Sequence, residues 1–523
     1  MTSDLARLVA YLRGLRGFLR RPVSAEGSRR LLRAGLEARE ANLLRFLDAC
    51  VFGRPGSPYA ALLLHAGIEQ GDAAKLVATE GTESALGRLY DEGVYLSVGE
   101  FKGLEPIRRG SLELETSHED FDNPLLRPAY SGESGGSRGV PRRVMVDFEH
   151  LLHECAYQVL FMDAFALWER PCALWRPVPP ARSGLQNALR SLKVGRPAER
   201  WFSQTPLSLA PALVRDTLLT WLTVATSRSA GHSLPVPVHV PLAEAETVAR
   251  WLAGKVEAGT ASHLDTVASS AVRVSIAARE AGLDLKGTLI RVGGEPFTRA
   301  KADLIEASGA TAVAHYAMAE TGRIGAACAD APELDDVHLL TDRLALVSRT
   351  AGSDASGRTN VVLTTLLPVC PKVMLNVETG DSAVVVERDC SCAAGEIGFR
   401  THLHTIRGDD KLTIEGMGFV GADVLLLVDE LLPRRFGGAP TDYQLVEREQ
   451  DGLQRVDVVV DPSVGPVDER EVVEVVLETL GSGLAYRRMV VDLWRQADAV
   501  SVVRRAPHAT RTAKVQPLHV IRP

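Results

Sequence analysis

Apolar residues recur at helical spacing from Leu31 to Phe52 and again from Tyr59 to Tyr90, so the first hundred or so residues read as a run of helices. The texture changes near Phe101 to Pro128, where short strands and loops are expected, and a helix-like stretch follows over Phe148 to Ala164. From Ser191 to Pro211 the chain is rich in Pro, Arg and Ser without a clear period, which reads as a surface excursion. Asp265 to Ala281 reads as an amphipathic helix with Val267, Ala271, Val274, Ala278 and Ala281 on one face and Gly282 as its C-cap. Strands at Gly287 to Val292 and Ala310 to Ala314, with a helix between them, give α/β texture. After Asp342 short strands dominate: Leu344 to Ser348, Val361 to Thr365 and Ser382 to Val386. The last stretch predicts a βαβ-like unit from Gln454 to Val460, a helix at Glu469 to Leu480, and a strand at Met489 to Leu493. The fold class is therefore α/β. A large N-terminal domain, 1–408, has β subdomains and a helical extension over 1–100, and a small α+β domain follows over 409–523.

Composition narrows the function classes. With 523 residues, 46% apolar and 24% charged, the chain has material for a large buried core and more than one domain. A net charge of −7 and the lack of a long Lys/Arg block argue against nucleic acid as a partner. No run of about 18 uncharged apolar residues is present to span a membrane. Leu5 to Arg21 alternates apolar residues with Arg7, Arg13, Arg16, Arg20 and Arg21, which suits either a helix lying on anionic lipid or one packed on its own domain; the second reading is preferred. Seven irregularly spaced cysteines form no disulfide framework and no signal peptide opens the chain, so a reducing cytoplasm is the expected compartment.

The first candidate chemistry is the loop Ser131 to Gly139, SGESGGSRG. Glycines at 132, 135, 136 and 139 let backbone N–H groups converge on an anion, and Ser131, Ser134, Ser137 and Arg138 add donors, as in a phosphate cradle. The same residues fit the G-x-S-x-G elbow of serine hydrolases, but two prolines in Asn123 to Tyr130 argue against the apolar central strand an elbow requires. Further on come Gly293-Gly294-Glu295, YAMAETG over Tyr316 to Gly322, ETGD over Glu378 to Asp381, RGDD over Arg407 to Asp410, and Lys514.

In this order the motifs resemble the acyl-adenylating superfamily, and within it the branch of phenylacetate-CoA ligases and acyl-protein synthetases. The similarity runs from about residue 125 to the end and is most specific between Asp284 and Gly416. The resemblance implies an ATP/AMP site. Ser131, Gly132, Ser134, Gly135, Gly136 and Arg138 would hold phosphates, and Gly293, Gly294, Glu295, His315 and Tyr316 would line the adenine. Glu320 would hold Mg²⁺, a hard cation that prefers oxygen ligands. Asp381 would accept the ribose hydroxyls and Arg407 would reach ribose or phosphate. Asp409 would be the hinge of a mobile C-terminal domain carrying Lys514, which would brace charge at the carboxylate and α-phosphate. Two departures stand out: Ala319 replaces the threonine that usually precedes the glutamate, and Arg138 or Arg142 replaces the usual loop lysine.

Cys328, His338, Cys390 and Cys392 form a second constellation. A C-x-C pair with a distant Cys and His could complete a closed tetrahedral zinc site, as some members of the same branch have; the alternative is four unrelated residues in a reduced protein. The function expected is an AMP-forming ligase that makes an acyl-adenylate from a carboxylic acid and passes the acyl group to the thiol of CoA or of a carrier-protein pantetheine. An amine acceptor, a non-carboxylate oxyanion such as nitrite, and a nucleotide-binding protein without turnover stay open.

Overall fold

A helical start is draped over a twelve-stranded sheet whose two halves are built differently. The computed structural model describes the chain apart from residues 1, 22, 128, 134–142, 180, 210–213, 295, 351–356, 409–410, 415–416, 421–423, 451–452, 483–490, 492–493, 496–497, 510–513 and 522–523. The start comprises α1 (Thr2–Arg20), α2 (Ala25–Glu37), α3 (Arg39–Phe46), α4 (Pro58–His65), α5 (Gln70–Glu80), α6 (Thr82–Asp91) and α7 (Val98–Phe101). Two hairpins follow, β1 (Ile107–Arg109) with β2 (Leu112–Leu114) and β3 (Tyr130–Glu133) with β4 (Arg143–Val146), and then α8 (Phe148–Ala164).

Strands and helices now alternate: β5 (Cys172–Trp175), α9 (Arg182–Lys193), β6 (Arg200–Ser203), α10 (Val214–Ser229), β7 (Pro237–His239), α11 (Ala245–Glu257), β8 (His263–Thr266), α12 (Ala268–Glu280), β9 (Leu289–Gly293), α13 (Arg299–Glu306) and β10 (Thr311–Met318). These six strands pair in parallel in the order β10-β9-β8-β5-β6-β7, so the chain winds outward from β5 and then returns to start again at β8. Such a reversal makes a topological switch point between β5 and β8, where ligands bind at the carboxyl ends of strands in open α/β sheets.

From β10 the sheet continues antiparallel through β11 (Gly322–Ala327), β12 (Val337–Leu339), β16 (Thr401–Gly408), β15 (Val377–Glu387), β14 (Thr359–Thr365) and β13 (Leu344–Thr350), with α14 (Ala393–Ile397) before β16. A hairpin, β17 (Lys411–Ile414) with β18 (Met417–Val420), leads to a separate sheet of β19 (Tyr443–Gln450), β20 (Leu453–Val460), β21 (Val500–Arg504) and β22 (Leu518–Ile521). Together with the helix Glu469–Leu480, this sheet encloses its own core of Leu445, Val458, Val472, Leu477 and Trp494.

Leu43, Val77 and Leu86 of the early helices share a core with Leu346, Val362 and Val377 of the antiparallel half. The arginine-rich α1 is a packed helix, with Tyr11, Leu15, Phe18 and Leu19 buried and the Tyr11 hydroxyl 2.7 Å from Thr223 Oγ1. The carbonyls of Phe18 and Leu19 in its last turn, and of Arg21 just past it, accept from Lys193 Nζ. Among the described residues no helix is long and apolar enough to cross a membrane.

Three expectations are corrected. Arg200–Ser203 lies inside the expected surface excursion but forms β6, with Trp201 fully buried; four residues of a strand buried on both faces show no alternation to read. Asp265 belongs to β8, and the helix opens only at Ala268, because its apolar neighbours fit either period. The strand that completes the C-terminal βαβ unit is β21, not Met489 to Leu493, of which only Val491 is described and is helical.

Candidate functional site

The carboxyl ends of β9 and β10 bring the first group together. Gly293 pairs with His315 across the two strands, and a Cβ on Gly293 would lie 2.5 Å from the His315 ring, so only glycine admits the imidazole over the strand end. Gly294 turns the chain with φ +79°, and a Cβ there would lie 2.6 Å from Lys514 Nζ. The lysine thus reaches the glycine turn from the segment that precedes β22, 220 positions further along the chain. His315 is held neutral, well below the usual histidine range, by burial and then by the charges of Arg291 and Arg323.

Tyr316 donates its hydroxyl to Asp381 Oδ2 at 2.5 Å, joining β10 to β15. Arg407 lies opposite Ser382 in the β15/β16 ladder, beside Asp381. Its Nη1 donates to Asp335 Oδ2 at 3.1 Å. The same carboxylate accepts from the N–H groups of Thr405 and Ile406 at 2.7 and 2.9 Å, which steadies Thr405 in the left-handed region, φ +53°.

Glu320 sits buried in the turn between β10 and β11, its Oε1 3.8 Å from His118 Nε2. Its carbonyl accepts from the N–H of Lys372 at 3.0 Å, and the carbonyl of Ala319 accepts from Arg182 Nη2 at 3.0 Å. Lys372 is itself fully buried, with Nζ 2.7 Å from Asp122 and donating to the His118 carbonyl at 2.6 Å. His118 from ahead of the sheet, Arg182 of α9 and Lys372 from between β14 and β15 therefore surround the glutamate turn.

Ser131 and Gly132 belong to β3, paired with Met145 and Val144. Ser134, Gly135, Gly136, Arg138, Glu295 and Asp409 lie outside the described residues.

Under the turn lies a buried network that sequence reading missed. Asp265 accepts from Arg176 Nε at 2.7 Å and from Arg291 Nε at 2.6 Å. Arg291 also donates to Gln158 at 2.7 Å and stacks its guanidinium on the Phe161 ring. Glu154 accepts from Arg190 Nη1 at 2.9 Å, Arg343 Nη1 at 2.6 Å and the N–H of Arg323 at 3.1 Å. Both carboxyls are held well below the usual range against the opposing cost of burial, Glu154 by Arg343 and Arg190, Asp265 by Arg291 and Arg176. One sign of this was in the sequence: Arg291 interrupts the apolar strand Leu289, Ile290, Val292.

The four members of the Cys/His constellation do converge. Cys328 Sγ is 3.4 Å from Cys390 Sγ, His338 Nε2 is 3.0 Å from Cys392 Sγ, and all four ligand atoms lie within 4.8 Å of one another. His338 Nδ1 lies 2.8 Å from the Phe399 carbonyl, which turns Nε2 toward the sulfurs as a backbone partner does for a metal-ligating histidine. Gly395 is required here, since a Cβ would overlap the Cys390 carbonyl. Three thiols and an imidazole, from the end of β11, from β12 and from the segment between β15 and α14, fit a tetrahedral Zn²⁺ site with no open position.

No protein-family model matches the chain, and no curated protein matches its sequence. Among solved structures, 2-hydroxyisobutyryl-CoA ligase in the postadenylation state, in complex with R3-HIB-AMP, aligns with a TM-score of 0.54 at 14% identity, over 93% of this chain and 90% of that one. The same ligase with 2-HIB-AMP and CoA in the thioesterification state gives 0.44 at 15% identity, over 92% and 90%. The o-succinylbenzoate coenzyme A synthetase of Bacillus subtilis, with ATP and magnesium, gives 0.43 at 13% identity, over 75% and 69%.

Proposed function

We propose, from a chain that has the fold of the adenylate-forming ligases, that this protein activates a carboxylic acid with ATP as an acyl-adenylate and hands the acyl group to a thiol, that of CoA or of a carrier-protein pantetheine. The observation that carries this reading is the approach of Lys514 to Gly294 beside His315. An ammonium brought to a strand-end glycine turn by the segment before β22 would brace negative charge as a carboxylate oxygen attacks the α-phosphate and pyrophosphate departs. Asp381, fixed by Tyr316, accepts the ribose hydroxyls, and Arg407, fixed by Asp335, reaches ribose or phosphate. Glu320 is the residue that would hold Mg²⁺, which neutralises phosphate charge when bound. The loop from Ser131 to Gly139 holds phosphates, and the C-terminal domain, 409–523, rotates about Asp409 between the two half-reactions. Zn²⁺ at Cys328, His338, Cys390 and Cys392 is structural, tying β11 and β12 to the segment before β16.

The test is incubation of the protein with Mg·ATP, hydroxylamine and a panel of aryl, alkyl and amino-aryl acids, with hydroxamate and pyrophosphate measured together. Hydroxamate with one acid class, lost by at least about 100-fold in Lys514→Ala, is the expected outcome. Pyrophosphate without hydroxamate would replace the carboxylate by another oxyanion. Tight AMP binding without turnover on any acid would make the protein a nucleotide-binding one, the reading that Ala319 favours.

A further inference from the structure

Among the described residues, five arginines of the buried network beside the site share two carboxylates. Asp265 bridges Arg176 and Arg291, and Glu154 bridges Arg190 and Arg343. Arg323 is left over. Its side chain is 3% exposed, its Nε stands 4.0 Å from the already bridged Glu154, and its Nη2 is buried with no hydrogen-bond partner among the described residues. Arg182 Nη1 and His315 Nδ1 are buried without a partner as well. Of the other nearby carboxyls, Asp342 accepts from the Tyr157 hydroxyl at 2.7 Å through Oδ2, and Glu320 Oε1 stands 3.8 Å from His118 Nε2.

Place adds to composition. Arg176 follows β5 directly and Asp265 lies in β8, so the network starts at the switch point where α/β sheets take ligands. It ends at Arg323 on β11, opposite Ala317 of β10 and three residues past Glu320. Burial and the neighbouring Arg190 and Arg291 push the Arg323 guanidinium down to about 9, so the folded chain by itself disfavours the charge that this residue carries. A buried charge without a counter-charge is costly, and among the described residues Arg323 shares only the already bridged Glu154, so an anion from outside the chain would relieve that cost.

We propose that the carboxylic acid taken by this protein carries a second anionic group, a carboxylate or a phosphorus oxyacid, which pairs with Arg323. Arginine offers two parallel N–H donors to either anion, and Arg182 stands by the turn that carries Glu320. The inference rests on the adenylation reading for the fate of the first carboxylate, but the anion subsite can be measured without ATP.

Two measurements on the full chain separate the two ideas. The first is the melting midpoint of the ATP-free protein with dicarboxylates from malonate to adipate, with phosphonoacetate, and with the matching monocarboxylates. The second is hydroxamate formation with the same acids and Mg·ATP. The expected result is a midpoint raised by a dianionic acid and not by its monocarboxylate, with dicarboxylate and phosphonate arms identifying which anion is preferred. Turnover should favour the dianion in kcat/KM by roughly 100-fold, the scale of a desolvated charge pair. Arg323→Met should remove both preferences and Arg323→Lys should restore part of them, with the unliganded midpoint of each variant recording that it folds. Monocarboxylates that bind and react as well as dianions would overturn the proposal. So would an Arg323→Met variant that folds and keeps the preference, or a protein whose midpoint and turnover no dianion favours. A dianion-specific shift with no pyrophosphate from any acid would uphold the subsite and defeat the adenylation reading.

Discussion

Strands β5, β8 and β9 show two faces of one sheet with opposite chemistry. Ala173, Trp175, Leu264, Ile290 and Val292 point to α11, α12 and α13, where Val248, Leu252, Ala271, Val274 and Ile305 complete a cluster of apolar side chains. Their neighbours one position along point the other way, as strand alternation demands, and there Arg176, Asp265 and Arg291 meet Gln158 of α8 and Asn187 of α9. Parallel strands covered by helices on both sides are ordinarily apolar on both. The difference teaches that one face holds the sheet together while the other, still packed with Leu174 and Leu289 at its base, has its carboxyl end given over to charge.

The largest effect expected comes from unbalancing the charged face. Asp265→Ala would leave Arg176 and Arg291 buried without their carboxylate and cost about 3–5 kcal/mol in urea unfolding, as for other buried ion pairs broken from one side. Ile290→Ala on the opposite face would cost about 3 kcal/mol as a cavity. The two differ in their remedy. Replacing Asp265, Arg176 and Arg291 together by Leu, Met and Met should recover most of the loss, because the desolvation of three charges goes with them. An Asp265→Ala variant that unfolds no more easily than Ile290→Ala would show that water reaches these arginines.

A smaller effect distinguishes the faces by pH. His263 lies on the charged face, packed on the Phe161 ring, and burial, then Arg291, lower it to about 3. The folded state therefore keeps this imidazole neutral while the unfolded chain takes up a proton below about 6.5, the ordinary histidine value. Stability from this group is fully present above that value and declines as the pH falls toward 3. Between pH 7.5 and 5, the wild type should lose about 1–2 kcal/mol more than His263→Phe, measured by urea unfolding at both pH values. Equal losses would mean that His263 protonates in the folded protein.

How much of this could be read from sequence follows the same division. The apolar face announced itself through period: α12 was legible from Ala271, Val274 and Ala278, β9 from its apolar run, and the helix Glu469–Leu480 to the residue. The motif residues were picked out by their order, and three pairs of them meet in the fold: Gly293 with His315, Tyr316 with Asp381, and Gly294 with Lys514. The charged network was not legible, because Glu154, Arg190, Asp265, Arg291, Arg323 and Arg343 come from six elements and connecting segments and have no common spacing. Asp335, which fixes Arg407, and His118, which stands by Glu320, were missed for the same reason: each acts across the fold on a residue far along the chain. The Cys/His group was found because cysteine chemistry restricts the partners a sequence reader must try.

The smallest effect expected sharpens the comparison most directly, because it keeps the residue type and changes only the side of the water boundary. Arg299 opens α13 on the outer surface of the apolar layer, eight positions after Arg291 by their numbers, and pairs with Asp303 at 2.6 Å and Glu306 at 2.6 Å. These two hydrogen bonds raise its affinity for a proton, yet more than half of the side chain is exposed, so solvent screens the attraction and chain entropy opposes it. Arg299→Ala should cost only about 0.3–0.5 kcal/mol, and less in 1 M salt. Arg291→Ala removes a cation whose five donors serve Asp265, Gln158 and Asn187 inside the fold, and should cost several kcal/mol with little dependence on salt. If the two substitutions were to cost the same, the charged layer would be a solvated surface folded inward, and the leftover guanidinium of Arg323 would have water rather than a ligand for its partner.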